Sequence, residues 1–354
     1  MSRIISVGTA HVSYKFNQCE VKNFAYELFS ENKQYIKRML GVFDNSLIDT
    51  RHFVHPKQWF DTPKNFMERS ESYLTNSLLL SISAINDCLE KANAHLNDFD
   101  HIIFVSNTGI TTPSVDAHLI NELKLDTHIK RTPIWGLGCA GGAVGLTRSF
   151  EYTKAFPKSA VLLIALEICS LAFHREDYSK SNIVSLALFS DGAAATLIAG
   201  KEHQLYQSSS ISLINTLSTT YYDSLNVMGW EIVDEGFKAI FSKDIPTIVR
   251  KEVKANIGEL LETENLSPAD LKHYIVHPGG AKVLAEYEAS LGLPEGTFKH
   301  SRKVLREHGN MSSPTVLYVL KELMDEKEYN PGEYGIISAL GPGFSSEIIL
   351  FETV

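Results

Sequence analysis

The chain turns from a short apolar strand into a long helical pattern within the stretch Pro133-Ile134-Trp135-Gly136-Leu137-Gly138-Cys139-Ala140-Gly141-Gly142-Ala143. Apolar residues continue at helical spacing from Ala140 to Phe156, and Pro157 ends the pattern. This order places the thiol of Cys139 at the start of a helix, where unpaired N–H groups favour an anion. We therefore predict that the pKa of Cys139 lies below that of a free thiol and that Cys139 is a nucleophile.

Cys139 also has a simpler interpretation, as a small apolar residue of the core, because free cysteines are often buried. Four glycines lie close to it in the sequence: Gly138, Gly141, Gly142 and Gly145. Such a cluster suits a tight turn with close approach of the backbone, and it is costly to place without a reason. The glycines therefore favour catalytic use of the thiol.

Strand-like runs alternate with helical stretches along the chain, and the alternation restarts after about residue 205. The predicted strands cover residues 102–105, 160–165, 193–198, 210–217, 274–276 and 334–340. The predicted helices cover residues 64–91, 114–123, 140–156, 245–262, 281–290 and 311–325. This alternation is typical of an α/β protein. Because no linker or low-complexity segment interrupts the chain, we expect two similar halves, residues 1–205 and 206–354, fused into one body.

Composition limits the function classes that suit the chain. Its 354 residues include 44% hydrophobic residues and carry a formal net charge of −9, which argues against broad nucleic-acid binding. The four cysteines show neither metal-ligand spacing nor a disulfide framework, so we expect no metal site and a reducing compartment. The longest uninterrupted apolar run, residues 160–166, is too short to span a bilayer. We predict a cytoplasmic protein with no integral membrane segment.

Two further residues join Cys139 as candidates for catalysis. His277 ends an apolar strand ahead of Pro278-Gly279-Gly280, a position where open sheets present functional groups, although a capping histidine would also suit this turn. Asn310 precedes the last predicted helix and could simply be its N-cap. Together, a thiolate, an imidazole and an amide suit thioester chemistry, because the thiolate takes an acyl group and the other two donate hydrogen bonds to a developing oxyanion.

Five segments resemble, in order and spacing, the motif series of the type III polyketide synthases, the chalcone synthase-like family: residues 138–142, 188–195, 276–280, 308–313 and 341–343. The resemblance spans nearly the whole chain and is closest to bacterial enzymes that make alkylpyrones from fatty acyl-CoA. It implies a thiolase-like fold with two similar halves layered α-β-α-β-α, assembled as a homodimer. It also implies a catalytic triad of Cys139, His277 and Asn310.

The same matching implies a substrate gate and cavity, formed by Phe189, Asn107, Thr108, Thr112, Ala239, Phe241, Gly341, Pro342 and Gly343. Phe189 matches a gatekeeper between the acyl-CoA tunnel and the cavity, and Thr112 matches the position that reaches across the dimer. Ala239 replaces a phenylalanine of plant members, and Asn107 replaces a threonine. Both departures argue against a plant-type aromatic starter, and the smaller side chain of Ala239 leaves room for an aliphatic one.

Three cations lie near segments that match the family's CoA-binding region: Arg38, Arg51 and Lys282. Arginine and lysine bind phosphate through charge-assisted hydrogen bonds, so these residues are candidates for the CoA phosphates. Each is equally consistent with a solvated surface charge, and Gly41 stands where the family carries a further basic residue.

The resemblance predicts a type III polyketide synthase that condenses an acyl-CoA starter with malonyl-CoA. The steps are iterative decarboxylative Claisen condensations, the starter is a medium- to long-chain fatty acyl group, and the products are of alkylpyrone type. The CoA thioesters are substrates, so we expect no cofactor, and no acyl carrier protein is needed.

Two alternatives remain open at this point. One is a β-ketoacyl-acyl-carrier-protein synthase III-like enzyme, which performs a single condensation and usually carries His-Gln-Ala-Asn where this chain has His277-Pro278-Gly279-Gly280. The other is a non-catalytic thiolase-fold protein that binds acyl-CoA, which predicts a broken triad, whereas all three matched residues are present.

Overall fold

A computed structural model describes residues 1–29, 33–242 and 245–354. The strands are β1 (Ser2–Thr9), β2 (Tyr14–Asn17), β3 (Thr50–Phe53), β4 (His101–Val105), β5 (Lys130–Ile134), β6 (Ala160–Ile168), β7 (Asp191–Gly200), β8 (Ile211–Thr220), β9 (Met228–Val233), β10 (Gly236–Phe241), β11 (Leu271–Val276), β12 (Tyr334–Gly341) and β13 (Ser345–Thr353). The helices are α1 (Gln18–Leu28), α2 (Lys33–Met39), α3 (Gly41–Asp44), α4 (Phe66–Ala92), α5 (Val115–Leu123), α6 (Gly141–Ala155), α7 (Lys180–Leu188), α8 (Ile245–Thr263), α9 (Ala281–Leu291), α10 (Lys299–His308) and α11 (Thr315–Glu326).

Nine strands form one sheet in the order β11-β12-β13-β8-β1-β7-β6-β4-β5. On the amino-terminal side, β4 and β6 are parallel, whereas the pairs β6–β7 and β7–β1 are antiparallel. On the carboxy-terminal side, β11 and β12 are parallel, whereas β12–β13 and β13–β8 are antiparallel. Apart from the additional edge strand β5, the same arrangement of strands therefore occurs on each side of the antiparallel pair β1–β8. The two halves of the chain thus contribute similar halves of the sheet.

Helices cover both faces of each half of the sheet. Alternate residues of β6 point to opposite faces, so Leu162 and Ile164 pack with α4 and α5, while Val161 and Leu163 pack with α6 and α11. The cluster around α6 and α11 also contains residues of β12 and β13, so these two helices lie between the halves of the sheet. Helices α8 and α9 cover the outer face of the second half. The α-β-α-β-α layering expected from the resemblance is confirmed.

The predicted strands and helices are present in the structure, within a few residues at each end. The helix predicted over residues 311–325 starts later, at Thr315, because Ser312 has a φ of +60° and belongs to a turn. The sequence analysis missed β1, the antiparallel pair β2–β3, the hairpin β9–β10, and the helices α1, α2, α3, α7 and α10. In the described part of the chain, no helix is long and apolar enough to cross a membrane.

Candidate active site

Cys139 lies in a single 3-10 turn, Gly138–Ala140, between β5 and α6. Gly138 has a φ of +45°, and a Cβ atom there would lie 2.6 Å from Pro342 Cδ. Only glycine allows both this backbone conformation and this contact. The turn thus packs against the Gly341-Pro342-Gly343 loop, and Cys139 is only 5% exposed.

His277 follows β11 directly, at the carboxyl end of this parallel strand. Its backbone N–H donates to the carbonyl oxygen of Ser338 in β12 at 2.8 Å. The imidazole is buried, and neither ring nitrogen has a hydrogen-bond partner among the residues that the structure describes. Burial lowers the pKa of His277 to about 3, so the ring is neutral near pH 7. A buried ring with two unpartnered nitrogens is available to a ligand or to a proton transfer.

Asn310 lies between α10 and α11, in a segment that forms an isolated parallel bridge with Phe189. Its Oδ1 accepts a hydrogen bond from the Ser312 N–H at 2.8 Å, and its Nδ2 lies 3.4 Å from the carbonyl oxygen of Gly279. These two contacts direct the amide N–H groups towards the turn that follows His277. A Cβ atom at Gly279 would lie 3.9 Å from His277 Nε2, so the amide and the imidazole share this turn.

The thiol of Cys139 faces the Asn310 segment. Its Sγ lies 3.5 Å from Ser312 Oγ, and the Asn310 amide also hydrogen-bonds to it. Burial raises the pKa of Cys139 to about 11; the charge of Glu167 adds to the rise, and the two hydrogen bonds oppose it. The lowered pKa expected at this helix start is therefore wrong for the resting site, because burial outweighs the helix dipole.

The three side chains together suit acyl transfer through a covalent thioester. Cys139 provides a nucleophile once its proton is removed, and the neutral imidazole of His277 is a group that can accept that proton. The Asn310 amide is a hydrogen-bond donor held in place by its contacts, which is the arrangement that stabilises charge developing on an oxygen atom.

Glu167 is a buried carboxylate close to the thiol that the sequence analysis missed. It accepts hydrogen bonds from Asn107 through both its backbone N–H and its Nδ2, each at 2.9 Å. Thr108 Oγ1 donates to it at 2.9 Å, and Ser313 Oγ donates at 2.6 Å. We call these donors, from Asn107, Thr108 and Ser313, the cage around Glu167. Two of its members, Asn107 and Thr108, were predicted as cavity residues. A lone acidic residue inside the apolar strand β6 was the signal that could have revealed it.

Phe189 lines a cavity of about 280 Å³. Its wall is largely apolar and includes Phe24, Phe53, Phe60, Phe173, Leu186, Phe189, Trp230 and Ala239. Ala239 and Trp230 are directly opposed in the hairpin β9–β10, so a small side chain faces a large one. Phe241, on the same face of β10, lies 5.5 Å from Phe189 between ring centroids. The predicted gate and hairpin residues therefore border one apolar space.

Comparison with known proteins identifies the family of the chain. The family model described as "Chalcone and stilbene synthases, N-terminal domain" matches residues 1–202, and the model of the C-terminal domain matches residues 214–354. The chain belongs to this family. It is a type III polyketide synthase, an enzyme of the acyltransferase class.

Relatives of this synthase span nearly its whole length. A Bacillus subtilis (strain 168) protein named "Putative chalcone synthase" is 41% identical, over 99% of this chain and 98% of its own. The 1,3,6,8-tetrahydroxynaphthalene synthase of Streptomyces peucetius subsp. caesius is 32% identical, over 98% of this chain and 92% of its own. The crystal structure of the 1,3,6,8-tetrahydroxynaphthalene synthase of Streptomyces coelicolor A3(2) superposes with a TM-score of 0.91 at 27% identity, covering 99% of each chain. The thiolase-like fold is thereby confirmed.

The remaining predicted residues of the synthase lie outside the triad. Arg38 on α2 and Lys282 on the first turn of α9 are both exposed, as a ligand for a CoA phosphate requires. Thr112 is exposed next to Pro113, to which it is joined by a cis peptide bond. Arg51 differs, because it is 1% exposed and donates to acceptors of the protein itself. Arg51 lines the cavity next to Phe189 and does not lie at the surface, so its assignment to a CoA phosphate stays a prediction.

Proposed function

We propose that this synthase loads a medium- to long-chain fatty acyl group from CoA onto Cys139 and extends it with malonyl-CoA to alkylpyrone-type products. The observation that carries the proposal is that Asn310 contacts both the thiol of Cys139 and the turn after His277, and that its bridge partner Phe189 lines an apolar cavity.

Loading begins with the proton of Cys139. The neutral imidazole of His277 takes the proton, and the thiolate attacks the carbonyl carbon of the acyl-CoA thioester. The carbon–sulfur bond to CoA breaks, and the leaving CoA thiolate takes the proton back from the imidazolium. The backbone N–H of Cys139 donates to the carbonyl oxygen while it carries negative charge.

Extension uses the same donors for a different oxygen. When malonyl-CoA loses carbon dioxide, the electron pair of the broken carbon–carbon bond moves onto the thioester oxygen and forms an enolate. The Asn310 Nδ2 and the single N–H of neutral His277 stabilise that oxygen. The enolate carbon then attacks the acyl group on Cys139, and the thiolate of Cys139 leaves. No base is needed to form the enolate, and no carrier protein enters these steps.

The aliphatic starter is supported by the lining of the cavity. Aromatic and aliphatic side chains dominate its wall, and burial of each methylene group of a ligand is worth about 0.8 kcal/mol. Ala239 leaves space opposite Trp230 that a bulky residue would fill. The named relatives include synthases of 1,3,6,8-tetrahydroxynaphthalene, 3,5-dihydroxyphenylacetyl-CoA and phloroglucinol, so product type varies within the family.

We also propose that two copies of the chain form a homodimer through β5. This strand ends the sheet and is paired on one side only, with β4. Such an edge is a template for pairing with another chain. Ile110 and Trp135, each 48% exposed, lie just beyond the carboxyl ends of β4 and β5, and Thr112 is exposed close by. The four free cysteines suit a reducing, cytoplasmic location.

Product analysis by mass spectrometry tests the proposed reaction. Purified protein is incubated with malonyl-CoA and a series of acyl-CoA starters from acetyl to palmitoyl, alongside C139A and the control C19A, which changes an exposed cysteine. We expect pyrones from wild type and C19A, most with longer starters, and none from C139A. A single β-ketoacyl product that requires acyl carrier protein would instead indicate a synthase III-like enzyme. An absence of acyl-Cys139 with every starter would indicate an acyl-CoA binder.

A further inference from the structure

Arg51 is a fully buried cation that the reaction steps do not use. It lies on β3, and its guanidinium donates to Ser190 Oγ at 3.0 Å from Nε and to the carbonyl oxygen of Leu186 at 2.7 Å from Nη1. Nη1 also lies 3.5 Å from Gln18 Oε1. Taking a charged side chain out of water is expensive, and the charge of Asp191 offsets part of that cost for Arg51. Among the described residues, no carboxylate lies within ion-pair distance of the guanidinium, so its hydrogen bonds must supply much of the remaining compensation.

The partners of Arg51 belong to the segment that holds Asn310. The Ser190 N–H donates to the carbonyl oxygen of Asn310 at 2.9 Å, and the Asn310 N–H donates to the carbonyl oxygen of Leu188 at 2.9 Å. The backbone of residues 188–190 therefore clasps Asn310 on both sides. Arg51 holds this backbone in place by donating a hydrogen bond to the hydroxyl of Ser190.

Gly309 shows how closely Arg51 approaches the catalytic segment. A Cβ atom at Gly309 would lie 3.0 Å from Arg51 Cδ and 2.8 Å from Ser190 Oγ, and the residue has a φ of +74°. The segment can follow this path only because glycine leaves room for the guanidinium arm. The arginine and the residue before Asn310 are thus fitted to each other.

We propose that Arg51 is a positioning residue for Asn310, acting through Ser190 to hold the amide where the enolate oxygen forms. The inference rests on the proposed function, because it concerns the step that Asn310 serves. It differs from a CoA-binding role in what it affects: malonyl-CoA decarboxylation should lose rate, whereas substrate affinity and acylation of Cys139 should not.

The test measures three quantities for R51Q, R51K and S190A. Decarboxylation of malonyl-CoA is followed as acetyl-CoA, acylation of Cys139 by the mass of the protein after brief exposure to acyl-CoA, and folding by thermal unfolding. We expect R51Q to lower kcat for decarboxylation by about tenfold or more, with KM and acylation within about twofold of wild type. R51K and S190A should show smaller losses, since R51K keeps a donor and S190A removes one contact.

R69Q is the matched control. Arg69 is also buried, at 8% exposure, but among the described residues its guanidinium donates to the main-chain carbonyl oxygens of Lys64, Leu171 and Phe173, none of which belongs to the Asn310 segment. R69Q should lower the unfolding temperature and leave the kcat of the folded protein unchanged. N310A removes the amide itself, so its kcat for decarboxylation gives the largest loss that mispositioning of Asn310 can cause.

Three outcomes would overturn the inference. Equal losses of decarboxylation and acylation in R51Q would mean a general structural role. An increase in KM alone would mean that Arg51 contacts the CoA substrate. Decarboxylation at the wild-type rate in R51Q and S190A would mean that Arg51 has no role in this step, with the proposed function intact. Wild-type protein that does not decarboxylate malonyl-CoA would overturn the proposed function together with this inference.

Discussion

Replacement of His277 by Gln tests how Cys139 becomes a nucleophile. In the resting site, burial raises the pKa of Cys139 to about 11 and lowers that of His277 to about 3. Between these limits the pair holds one exchangeable proton, and moving it from Sγ to the ring leaves the proton count unchanged. Formation of the ion pair through His277 is therefore independent of pH between these limits, but it exceeds loss of the proton to solvent only if the attraction between thiolate and imidazolium offsets most of the gap between the two pKa values. A flat pH profile is the signature of that attraction.

Without the imidazole, the thiol must lose its proton to solvent. With a pKa of about 11, about one Cys139 in ten thousand is ionised at pH 7, against about 3% of a free thiol with a pKa of about 8.5. We expect alkylation of H277Q by iodoacetamide at pH 7 to be about 300-fold slower than that of a free thiol. Its rate should rise about tenfold per pH unit up to about pH 10.

The assay follows the mass of the intact protein after timed exposure to iodoacetamide from pH 5 to pH 10, in a C19A background that removes an exposed thiol. H273Q is the matched control, because His273 is also on β11 but bonds to Glu333, at 2.8 Å. Wild type and H273Q should give a flat profile. Alkylation of H277Q at the wild-type rate at pH 7, or a tenfold rise per pH unit in wild type, would refute the proton transfer.

Three further changes test the cavity, the buried carboxylate and the dimer. A239F should lower kcat/KM for long starters by about fourfold for each methylene group it displaces, whereas the control I240F, on the solvent side of β10, should not; product chain lengths by mass spectrometry decide. E167Q should destabilise the fold by about 1–3 kcal/mol, because an NH2 group would face donors, and should lower the pKa of Cys139 by removing a negative charge; thermal unfolding and the alkylation profile of an H277Q/E167Q double variant measure both. I110D should raise the dimer dissociation constant by about tenfold or more, with Y222D, at a 97% exposed residue of the other half, as the control in light scattering. If A239F and I240F had equal effects, or if I110D and Y222D did, the assignment of the cavity or of the dimer surface would be contradicted. An unchanged melting temperature in E167Q would contradict the role given to the buried carboxylate.

Much of the fold follows from periodicity in the sequence. The apolar runs of β4, β6 and β7 are buried on both faces, so they appear as continuous strands. The hairpin β9–β10 has a different composition, because one of its faces is apolar and packs on the protein, whereas the charged residues Glu231 and Lys238 lie opposite each other on the other face. Helix α10 also lacks a clear apolar pattern in the sequence, since its many charged residues form ion pairs with α9 and α11. Local patterns do not reveal elements that are stabilised by such distant partners.

The candidate site was predictable only in part. The glycines around Cys139 indicated a close approach, and the structure shows which residues approach: Pro342 at Gly138, Ser313 at Gly142 and Leu163 at Gly145. The pKa of Cys139 was mispredicted, because a helix start is visible in the sequence and the depth of burial is not. The burial of Arg51 was missed for the same reason: a charged residue predicts exposure unless its buried acceptors are known. The cage around Glu167 joins residues that are about 60 and 146 positions apart.

The bridge between Phe189 and Asn310 couples the cavity to the catalytic amide. The ring of Phe189 lines the apolar space, while the backbone on either side of it bonds to the N–H and the carbonyl oxygen of Asn310. We therefore expect a substitution that shifts this backbone to alter decarboxylation as well as chain length. Ala239 lies on a separate hairpin and pairs with Trp230, whereas Phe241 of the same strand contacts the ring of Phe189. We therefore expect a change at Ala239 to alter starter preference without loss of decarboxylation, and changes at Phe189 to affect both.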